Sequence, residues 1–361
     1  MCLASSYMTG YMYQENILPL YHKHFGAKVR IVANCIDYIH GKVNIIPPGI
    51  YYDNDIEIVR IPFRRYHKYL DDKIRRYRGF KREIEVFKPD IIFVHDAQFY
   101  NTHEIRNYVS ANNKVKVIVD CHTDEGNSAK GKLSKIFLHK IYYKWRISIL
   151  DSVVKRWWGV LPQRVHFLTD YYDIDIKKIG YLPLGYDDLN LFNAPSEQKI
   201  IQISKEYYVF CGRMDKRKEI FELLTHWKEY NTKMEESNYL LLIGPIIDNR
   251  IDLFIKENQE YFRHIEWAAG NVLTTYLYKS KGVLFPGTHS TLWEWAMGMG
   301  KIIYTRRNYY EGLNIDNMNI KVLESSMRDY VDDILSNRSI NNVFDMKDYN
   351  YSNIAKKALT W

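Results

Sequence analysis

Residues 281–304, KGVLFPGTHSTLWEWAMGMGKIIY, carry the pattern that decides the fold. An apolar run at 282–285 leads into a turn of small and hydroxyl-bearing residues, then a tryptophan-rich segment of helical character, then a second apolar run at 301–304. Short apolar runs bounded by turn residues are typical of buried strands, and strands that alternate with helices form parallel sheets. We therefore expect the two runs to lie parallel in one sheet, with the helix packed on it.

The same alternation extends through most of the chain. Apolar runs predict further strands at 29–33, 91–95, 115–120, 165–168, 207–211, 239–243 and 265–268. The stretch 181–206 holds Pro183, Gly185, Pro195 and mixed polar residues, so it is the expected boundary between two halves of similar architecture. The sequence predicts a doubly wound α/β protein of two domains, whose default ligand site is a cleft at the carboxyl ends of the strands.

The composition argues against several classes of protein. The four cysteines lack C-x-x-C spacing and lie in or beside apolar runs, which indicates reduced thiols and argues against disulfides or zinc. The first ten residues lack the basic and apolar regions of a signal peptide. No window holds the roughly 18 apolar residues that a membrane-spanning helix needs. We expect a cytoplasmic protein.

The chain is basic, with a net charge of +8 and a pI near 9.0. Lysine and arginine interleave with aromatic residues at 63–88 and again at 130–158, and both stretches are predicted to be helical. Solvated helix faces with ordinary aromatic packing explain this pattern, and so does a face that contacts an anionic membrane. No nucleic-acid recognition motif is present, so nucleic acid is not an expected partner.

The first candidate site follows the predicted strand 207–211. Gly212 ends this strand, and Arg213 and Lys218 flank the start of the next helix in FCGRMDKRKEIFELL, residues 210–224. A glycine lets the backbone approach a ligand closely, and cations beside a helix N-terminus favour an anion. A turn glycine with solvated cations explains the same residues, so this motif alone does not decide between the two.

The turn at 287–291 is the second candidate site. Ser290 or Thr291 is placed to cap the helix that begins near Leu292, and the uncommitted backbone N–H groups would face a phosphate. Glu294 is the only acidic residue of the segment quoted above. The helix dipole favours a carboxylate in this first turn, and a ribose diol would also give it two hydrogen-bond donors. Both explanations stay open from these residues alone.

The predicted strand 115–120 leads to the third candidate site, His122 and Asp124. A histidine at the carboxyl end of a parallel strand is placed for polar contact in a cleft, although single histidines often have only a structural role. His95 and Asp96 follow another predicted strand in the same way. No pair of these residues has the helical i, i+4 spacing of metal ligands, so no metal is expected.

Five segments, in order, resemble those of GT-B glycosyltransferases of the large retaining group, the glycosyltransferase family 4-like enzymes that build bacterial surface polysaccharides. The segments are TGYMYQENILPLYHKHFGAKVRIVA, DCHTDEGN, IGYLPLGYDDLNLF, CGRMDKRKEIFELL and FPGTHSTLWEWAMGMGKIIY, and they span most of the chain. The YQEN form of the first resembles enzymes of capsule, O-antigen (lipopolysaccharide) or exopolysaccharide assembly.

The resemblance implies two Rossmann-like domains that face each other across a cleft. The acceptor-binding domain would occupy 1–185 and the nucleotide-sugar donor domain 186–345, and a final helix at 346–361 would cross back to the first domain. Arg213 and Lys218 match the family's cations that neutralise the donor diphosphate. Glu294 matches the glutamate that binds the ribose hydroxyls, and His122 the histidine that reaches the donor sugar near the reacting carbon.

The resemblance thus implies a catalytic set and two binding sets. The catalytic residues would be His122, Arg213 and Lys218. The donor would be bound by Gly212, Arg213, Lys218, Thr288, His289, Ser290, Thr291, Leu292 and Glu294, and the acceptor by Gly10, Tyr11 and Asp124.

This sequence departs from the family pattern at three places. The family commonly has two glutamates separated by seven residues, and Pro286 stands where the first, which usually contacts the donor sugar, is expected. Thr288 or His289 is the candidate substitute. Glu219 replaces the glycine that usually follows the lysine, and His-Ser-Thr replaces a glycine-rich turn. These departures leave the sugar and the retention of configuration open.

The resemblance implies a hexosyl- or related glycosyltransferase that needs neither metal nor cofactor. It would move one sugar from a nucleotide-diphosphate sugar, UDP- or GDP-linked, to a lipid-linked or polysaccharide precursor, with retention of configuration. We expect it at the inner face of the cell membrane, in peripheral contact with anionic lipid. The alternatives are a soluble or protein acceptor, another GT-B activity such as an epimerase or a phosphorylase, and a catalytically idle nucleotide-sugar-binding protein.

Overall fold

The computed structural model describes residues 1–4, 6–39, 42–64, 71–126, 128–129, 131–189, 205–268, 270–310, 313, 318–336 and 346–360. The chain forms two compact units. Unit 1 comprises Met1–Leu184 with Tyr351–Trp361, and unit 2 comprises Gly185–Asn350. The units divide within the stretch 181–206, of which residues 190–204 lie outside the described residues.

Unit 1 contains an eight-stranded main sheet and a separate two-stranded hairpin. Its strands are β1 (Cys2–Ala4), β2 (Arg30–Ala33), β3 (Ile36–Ile39), β4 (Lys42–Ile45), β5 (Gly49–Asp53), β6 (Ile56–Arg60), β7 (Ile91–His95), β8 (Lys116–Cys121), β9 (Val154–Gly159) and β10 (Ile179–Tyr181). The main sheet has the order β10-β9-β8-β7-β1-β2-β6-β5, and β3 pairs with β4. Neighbouring strands of the main sheet are parallel except β5, which is antiparallel to β6.

The helices of unit 1 cover this sheet. They are α1 (Gln14–His24), α2 (Asp71–Ile74), α3 (Phe80–Phe87), α4 (Thr102–Ala111), a π-helix (Ser134–Tyr143) that continues into α5 (Lys144–Asp151), α6 (Pro162–Tyr172) and a 3-10 turn (Ile176–Lys178). β7 and β8 are apolar and buried along almost their whole length, as parallel strands covered on both faces are.

Unit 2 contains one sheet of parallel strands. They are β11 (Tyr207–Cys211), β12 (Tyr239–Ile243), β13 (Phe262–Ile265), β14 (Val283–Phe285), β15 (Ile303–Thr305) and β16 (Ile320–Val322). Its helices are a 3-10 turn (Lys216–Lys218), α7 (Ile220–Met234), α8 (Asn249–Glu257), α9 (Gly270–Lys279), α10 (Leu292–Gly298), α11 (Met327–Ser336) and a 3-10 turn (Lys347–Tyr349). The strand order is β13-β12-β11-β14-β15-β16.

Both sheets have the strand order of a doubly wound, Rossmann-like fold. Counted along unit 2, its strands follow the order 3-2-1-4-5-6. In unit 1, β6-β2-β1-β7-β8-β9 follow the same order, which β10 and the antiparallel β5 extend at the two edges. The predicted doubly wound α/β architecture is confirmed. The order reverses between β1 and β7 and between β11 and β14, and in such sheets ligands bind beside that point.

The last helix, α12 (Tyr351–Ala358), belongs to unit 1. The Tyr351 ring packs 5.9 Å from that of Tyr21 on α1, and Trp158 donates a hydrogen bond to the carbonyl of Ala358 at 3.2 Å. Unit 1 therefore resumes at Tyr351. The helix begins five residues after the start of the range 346–361 that the resemblance implies for it.

Several element predictions are corrected by the structure. Residues 165–168 are not a strand, because they lie in α6, which begins with a proline and buries apolar residues at helical spacing. The helix predicted to run to 158 ends at Asp151, and its last part is the strand β9. Strand 265–268 lies earlier, at Phe262–Ile265. In the stretch 63–88 only α2 and α3 are helical, and residues 65–70 lie outside the described residues.

The antiparallel strands between residues 36 and 60 were not predicted from the sequence. The pair β5 and β6 turns at Asn54 and Asp55, both with positive φ, 48° and 57°. Asparagine and aspartate tolerate this conformation, so Asn-Asp between two apolar runs was an available hairpin signal.

Cys2, Cys35, Cys121 and Cys211 are all buried and free. Among the described residues, no helix has the length and apolar character needed to cross a membrane.

Candidate functional site

The loops that follow β11 and β14 touch each other in unit 2. Gly212 has a φ of +138°, and its N–H donates to the carbonyl of Ile243. A Cβ on Gly287 would lie 2.1 Å from the carbonyl oxygen of Arg217 and 2.6 Å from Cα of Lys218. These are backbone atoms, so the contact requires a glycine at 287. The first two predicted donor segments are therefore one structural feature.

Lys218 links the two loops. Its Nζ donates hydrogen bonds to the carbonyls of Thr288 at 2.6 Å and His289 at 2.9 Å. The Thr288 N–H donates in turn to the backbone carbonyl of Arg217 at 3.1 Å. Burial lowers the pKa of Lys218 to about 8, and the charge of Arg217 acts in the same direction. The ammonium is oriented by neutral carbonyls and forms no salt bridge with a described residue.

The other cations around these loops differ in whether a carboxylate neutralises them. Arg217 pairs with Asp215 at 2.6 Å, and Arg306 and Arg307 both pair with Glu219. Arg213 is exposed and forms no salt bridge within the described part of the chain. Lys218 and Arg213 are thus cations without a carboxylate partner, and a mobile anion can supply the missing charge.

Glu219 stands where the resemblance implies a glycine, and its backbone and side chain account for this departure. It has a φ of +57°, in the left-handed region that favours glycine. Its carboxylate binds Arg306 at 2.6 Å as well as Arg307, both of which follow β15. The chain therefore keeps a conformation suited to glycine and uses the added side chain to join two loops.

Glu294 lies on α10 with its side chain fully buried. Its Oε1 accepts a hydrogen bond from Tyr310 and lies 3.1 Å from Nε2 of His289. Its Oε2 is buried and has no hydrogen-bond partner among the described residues. Only one carboxylate oxygen thus remains for a ligand. Tyr310, which the sequence analysis missed, follows β15, and its post-strand position was the available signal.

The predicted cap of α10 is only partly present. The Leu292 N–H donates to Oγ of Ser290 at 3.4 Å, a long contact. Thr291 has helical backbone angles and makes no side-chain cap, so of the two predicted capping residues Ser290 is the one in contact with the helix. The dipole is therefore not the only interaction of Glu294, because His289 and Tyr310 bind its carboxylate directly.

Unit 1 gathers a cluster of titratable side chains at the ends of β7 and β8. His95 lies directly opposite Asp120 in the parallel pairing, and His122 follows two residues later. The backbone N–H of His122 donates to Asp96 at 2.9 Å. The predicted His122 and the two neighbours named beside it, His95 and Asp96, are therefore brought together, and Asp120 is an addition that the sequence analysis missed.

The predicted acceptor residues do not all join this cluster by a direct contact. Gly10 has a φ of +76°, and the Tyr11 ring stacks on Tyr13 at 5.2 Å in the loop that follows β1. Asp124 accepts a hydrogen bond from Arg164 at 3.3 Å. Asp124 is therefore paired with Arg164 of unit 1. Gly10 and Tyr11 lie in a different loop, the one that follows β1.

A second buried network holds that loop after β1. The N–H and hydroxyl of Thr9 donate to Asp37 at 2.9 and 2.6 Å, and the buried Arg60 pairs with the same carboxylate at 3.1 Å. Because Asp37 and Arg60 are almost fully buried, losing one of them would leave an unpaired charge. The loop that carries Gly10 and Tyr11 is therefore anchored by charge at its base.

No protein-family model matches this chain, and no curated protein matches it. Solved structures do match along nearly its whole length. A glycosyltransferase from Rickettsia africae is 12% identical, with a TM-score of 0.62, over 99% of this chain and 96% of that one. WaaG, a glycosyltransferase involved in lipopolysaccharide biosynthesis, is 10% identical, with a TM-score of 0.61, over 99% and 93%.

A third match is a putative UDP-N-acetylglucosamine 2-epimerase from Listeria monocytogenes. It is 11% identical, with a TM-score of 0.60, over 99% of this chain and 94% of that chain. Transferases and an epimerase thus share this architecture, and at such identities the likeness concerns the fold. The chain has the GT-B fold, with two Rossmann-like domains.

Proposed function

We propose that the protein is a glycosyltransferase that moves one sugar from a nucleotide-diphosphate sugar to an acceptor. The observation that carries this proposal is the pair of cations without carboxylate partners, Lys218 and Arg213, where the loops after β11 and β14 meet. Rossmann-like sheets bind ligands at this point, and a diphosphate would supply the negative charge that pairs with these cations. Glycosyltransferases are among the structures with this fold.

The donor is proposed to bind through its diphosphate and its ribose. Lys218 and Arg213 would neutralise the diphosphate beside the backbone of Gly212 and the loop 288–292. Oε2 of Glu294 would accept a hydrogen bond from the ribose, since this buried oxygen has no partner among the described residues. His289 and Tyr310 would hold that carboxylate in place through Oε1. UDP- and GDP-linked sugars are the expected donors.

The chemical step is proposed to depend on charge stabilisation. When the glycosidic bond to the diphosphate breaks, negative charge develops on the leaving group, and oriented cations stabilise it most where water is excluded. Lys218 and Arg213 would provide this stabilisation, in line with the expectation of an enzyme that requires no metal. We propose retention of configuration, with the acceptor attacking from the face on which the phosphate departs.

The acceptor is proposed to be a lipid-linked or polysaccharide precursor at an anionic membrane surface. The support is an exposed face of the π-helix and α5 that we call the lysine-aromatic face: Lys132, Leu133, Phe137, Lys140, Ile141, Lys144 and Trp145. Its four apolar side chains are between 56% and 73% exposed. They recur every four residues along the helix, so they form one stripe.

The charge beside this stripe favours an anionic surface. No acidic residue occurs between Glu125 and Asp151, while the same stretch holds five lysines and one arginine. Amphipathic helices with lysine on one side and large apolar or aromatic groups on the other bind at the headgroup level of anionic membranes. Lys144 pairs with Asp173, so part of its charge is already balanced. The face therefore suits contact with lipid rather than full insertion.

We expect Phe137→Ser with Trp145→Ser to weaken binding to vesicles of phosphatidylglycerol and phosphatidylcholine at least about tenfold, because two large apolar contacts are lost. Vesicle flotation of the purified protein measures this. The matched control is Ile50→Ser with Tyr52→Ser, which removes two exposed apolar side chains from β5 of the same unit. Equal binding by all three proteins, or binding that high salt leaves unchanged, would contradict the membrane proposal.

The donor site is tested by thermal unfolding with UDP, GDP, ADP, CMP and dTDP. A nucleotide at a hundredfold above its dissociation constant adds roughly 2.7 kcal/mol to the free energy of unfolding. We expect one diphosphate to stabilise the protein and Arg213→Ala to weaken its binding about tenfold. Lys216→Ala, which removes an exposed neighbouring cation, is the control. If no diphosphate or nucleotide sugar stabilises the protein, the proposed donor site is wrong.

A specific observation favours epimerisation of the sugar as a second candidate function. The Asp120 carboxylate lies 3.3 Å from the ring of His122, and Asp96 accepts a hydrogen bond from the His122 backbone N–H at 2.9 Å. Acid–base chemistry on a bound sugar needs such groups, and one structure with this fold is a putative UDP-N-acetylglucosamine 2-epimerase. Incubation of a stabilising nucleotide sugar without acceptor, followed by NMR, separates the two. A new epimer indicates the second function, and transfer only when acceptor is added indicates the first.

A further inference from the structure

One carboxylate oxygen of Asp120 contacts two imidazoles. Oδ2 lies 2.7 Å from Nδ1 of His95 and 3.3 Å from Nε2 of His122. Asp120 is fully buried, and His95 is almost so, whereas the side chain of His122 is 23% exposed. His122 is therefore the member of this cluster that a ligand can reach, and Asp120 lies behind it.

Asp96 holds the backbone of His122, whereas Asp120 contacts its ring. Asp96 accepts the His122 N–H at 2.9 Å and the Thr123 hydroxyl at 3.3 Å. Its own N–H donates to the carbonyl of Asp120 at 3.2 Å. Because Asp96 fixes the loop, a change in the Asp120 carboxylate acts mainly on the two rings.

A buried carboxylate needs compensating charge, since its desolvation costs several kcal/mol. Burial alone lowers the pKa of His122 and of His95, but the Asp120 carboxylate outweighs it, and the pKa of each histidine lies above its ordinary value. Burial raises the pKa of Asp120, yet the two imidazoles bring it below its ordinary value. The other titratable groups that face the two histidines are Glu15 of α1, Asp96 and, beside His95, Cys2 of β1 and His22 of α1.

The three side chains also offer three ligand atoms to a metal ion, all within 4.8 Å of one another. Around a tetrahedral zinc ion with bonds of about 2.0–2.1 Å, ligand atoms lie about 3.3 Å apart. The 2.7 Å between His95 Nδ1 and Asp120 Oδ2 is shorter than this and is the distance of a close ion pair, although the two atoms are not aligned for a hydrogen bond. The spacing is therefore tighter than that of a zinc site and suits an ion pair between His95 and Asp120.

We propose that Asp120 is a positioning residue that holds the ring of His122 in one orientation as a cation, and that His95 competes with His122 for the same carboxylate. This role rests on the proposed function and on the resemblance, which implies that His122 reaches the donor sugar near the reacting carbon. A cation there stabilises the negative charge that develops on the diphosphate as it leaves, and a neutral ring does not.

Two variants shift the titration of His122 in opposite directions if this role is correct. In Asp120→Asn, burial is opposed only by the weaker effects of Asp96 and Glu15, so the titration midpoint of His122 falls by at least about one pH unit. In His95→Gln, His122 has the carboxylate to itself, so its midpoint rises. NMR of the histidine ring protons measures both, with assignment from His122→Gln. Circular dichroism and thermal unfolding show whether each variant is folded.

The pH profile of transfer supplies a second readout. Wild-type kcat changes little below neutral pH and falls as pH rises through the elevated midpoint of His122. In Asp120→Asn, kcat at pH above the lowered midpoint falls about 10- to 100-fold and recovers as the solution is acidified and the ring regains its proton. A purely structural role of Asp120 would lower kcat equally at every pH.

Three outcomes overturn the inference. The His122 midpoint stays unchanged in both variants, or the loss in Asp120→Asn is the same at every pH, or calorimetry with ZnCl2 shows stoichiometric binding that both variants lose. Wild-type protein that neither binds nor turns over a nucleotide sugar would instead contradict the proposed function, while the NMR titration would still decide the role of Asp120.

Discussion

Lys218→Met is expected to lower kcat/KM for sugar transfer roughly a hundredfold. Methionine keeps most of the length of the side chain but removes the charge and both hydrogen bonds to the carbonyls of Thr288 and His289. Removal of one oriented donor from a site of developing charge costs on the order of 3 kcal/mol of transition-state stabilisation, which corresponds to about two powers of ten in rate. Steady-state kinetics with the donor identified by thermal unfolding measures this.

Lys216→Met is the matched control for this prediction. Lys216 lies in the same 3-10 turn, is exposed and forms no salt bridge with a described residue, so its loss removes one charge without removing a contact. We expect its kcat/KM to stay within about twofold of wild type, because exposed charges are screened. Equal losses in both variants would mean that only the net charge of the turn matters, and the specific role of Lys218 would be wrong.

Gly287→Ala is expected to have the largest effect on the stability of unit 2. The new Cβ would lie 2.1 Å from the Arg217 carbonyl oxygen and 2.6 Å from Cα of Lys218, and neither backbone atom can move like a flexible side chain. Forcing an extra methyl group into such a contact typically costs 1–3 kcal/mol, and we expect about 3. Differential scanning calorimetry should show a lower Tm for the variant.

The same substitution is also expected to abolish donor binding. Separation of the two loops would move the carbonyls of Thr288 and His289 away from Lys218, so the nucleotide that stabilises the wild type should no longer raise the Tm. Gly131→Ala is the control, because a Cβ there meets no atom within 4 Å. A Gly287→Ala protein with wild-type Tm would show that the loops adjust, and the requirement for glycine would be refuted.

The sequence alone determined the fold class and the strands that carry the candidate sites. The strands predicted at 91–95, 207–211 and 239–243 have the same bounds in the structure. Burial on both faces makes a parallel strand an uninterrupted apolar run, so it can be recognised locally. The residues after β8, β11 and β14 could be singled out for the same reason, since ligands bind at the carboxyl ends of parallel strands.

The antiparallel strands β3–β6 and the strand β9 could not be recognised in this way. β5 is mostly exposed, and β9 mixes charged residues with tryptophan, so neither gives a simple apolar run. The same tryptophan and lysine residues gave 130–158 a helical pattern over its whole length, although the chain changes from helix to strand between Asp151 and Val154. Tertiary packing on a neighbouring strand decided the conformation there.

Only the tertiary structure decided which charges are free. Arg306 and Arg307 are separated from Glu219 by more than eighty residues, yet they pair with it, whereas Lys218 and Arg213 have no carboxylate partner among the described residues. His95 and Asp120 likewise meet because β7 lies beside β8. Periodicity along a sequence reports the local environment of a residue, whereas the partner of a charge depends on strand order and on contacts between distant segments.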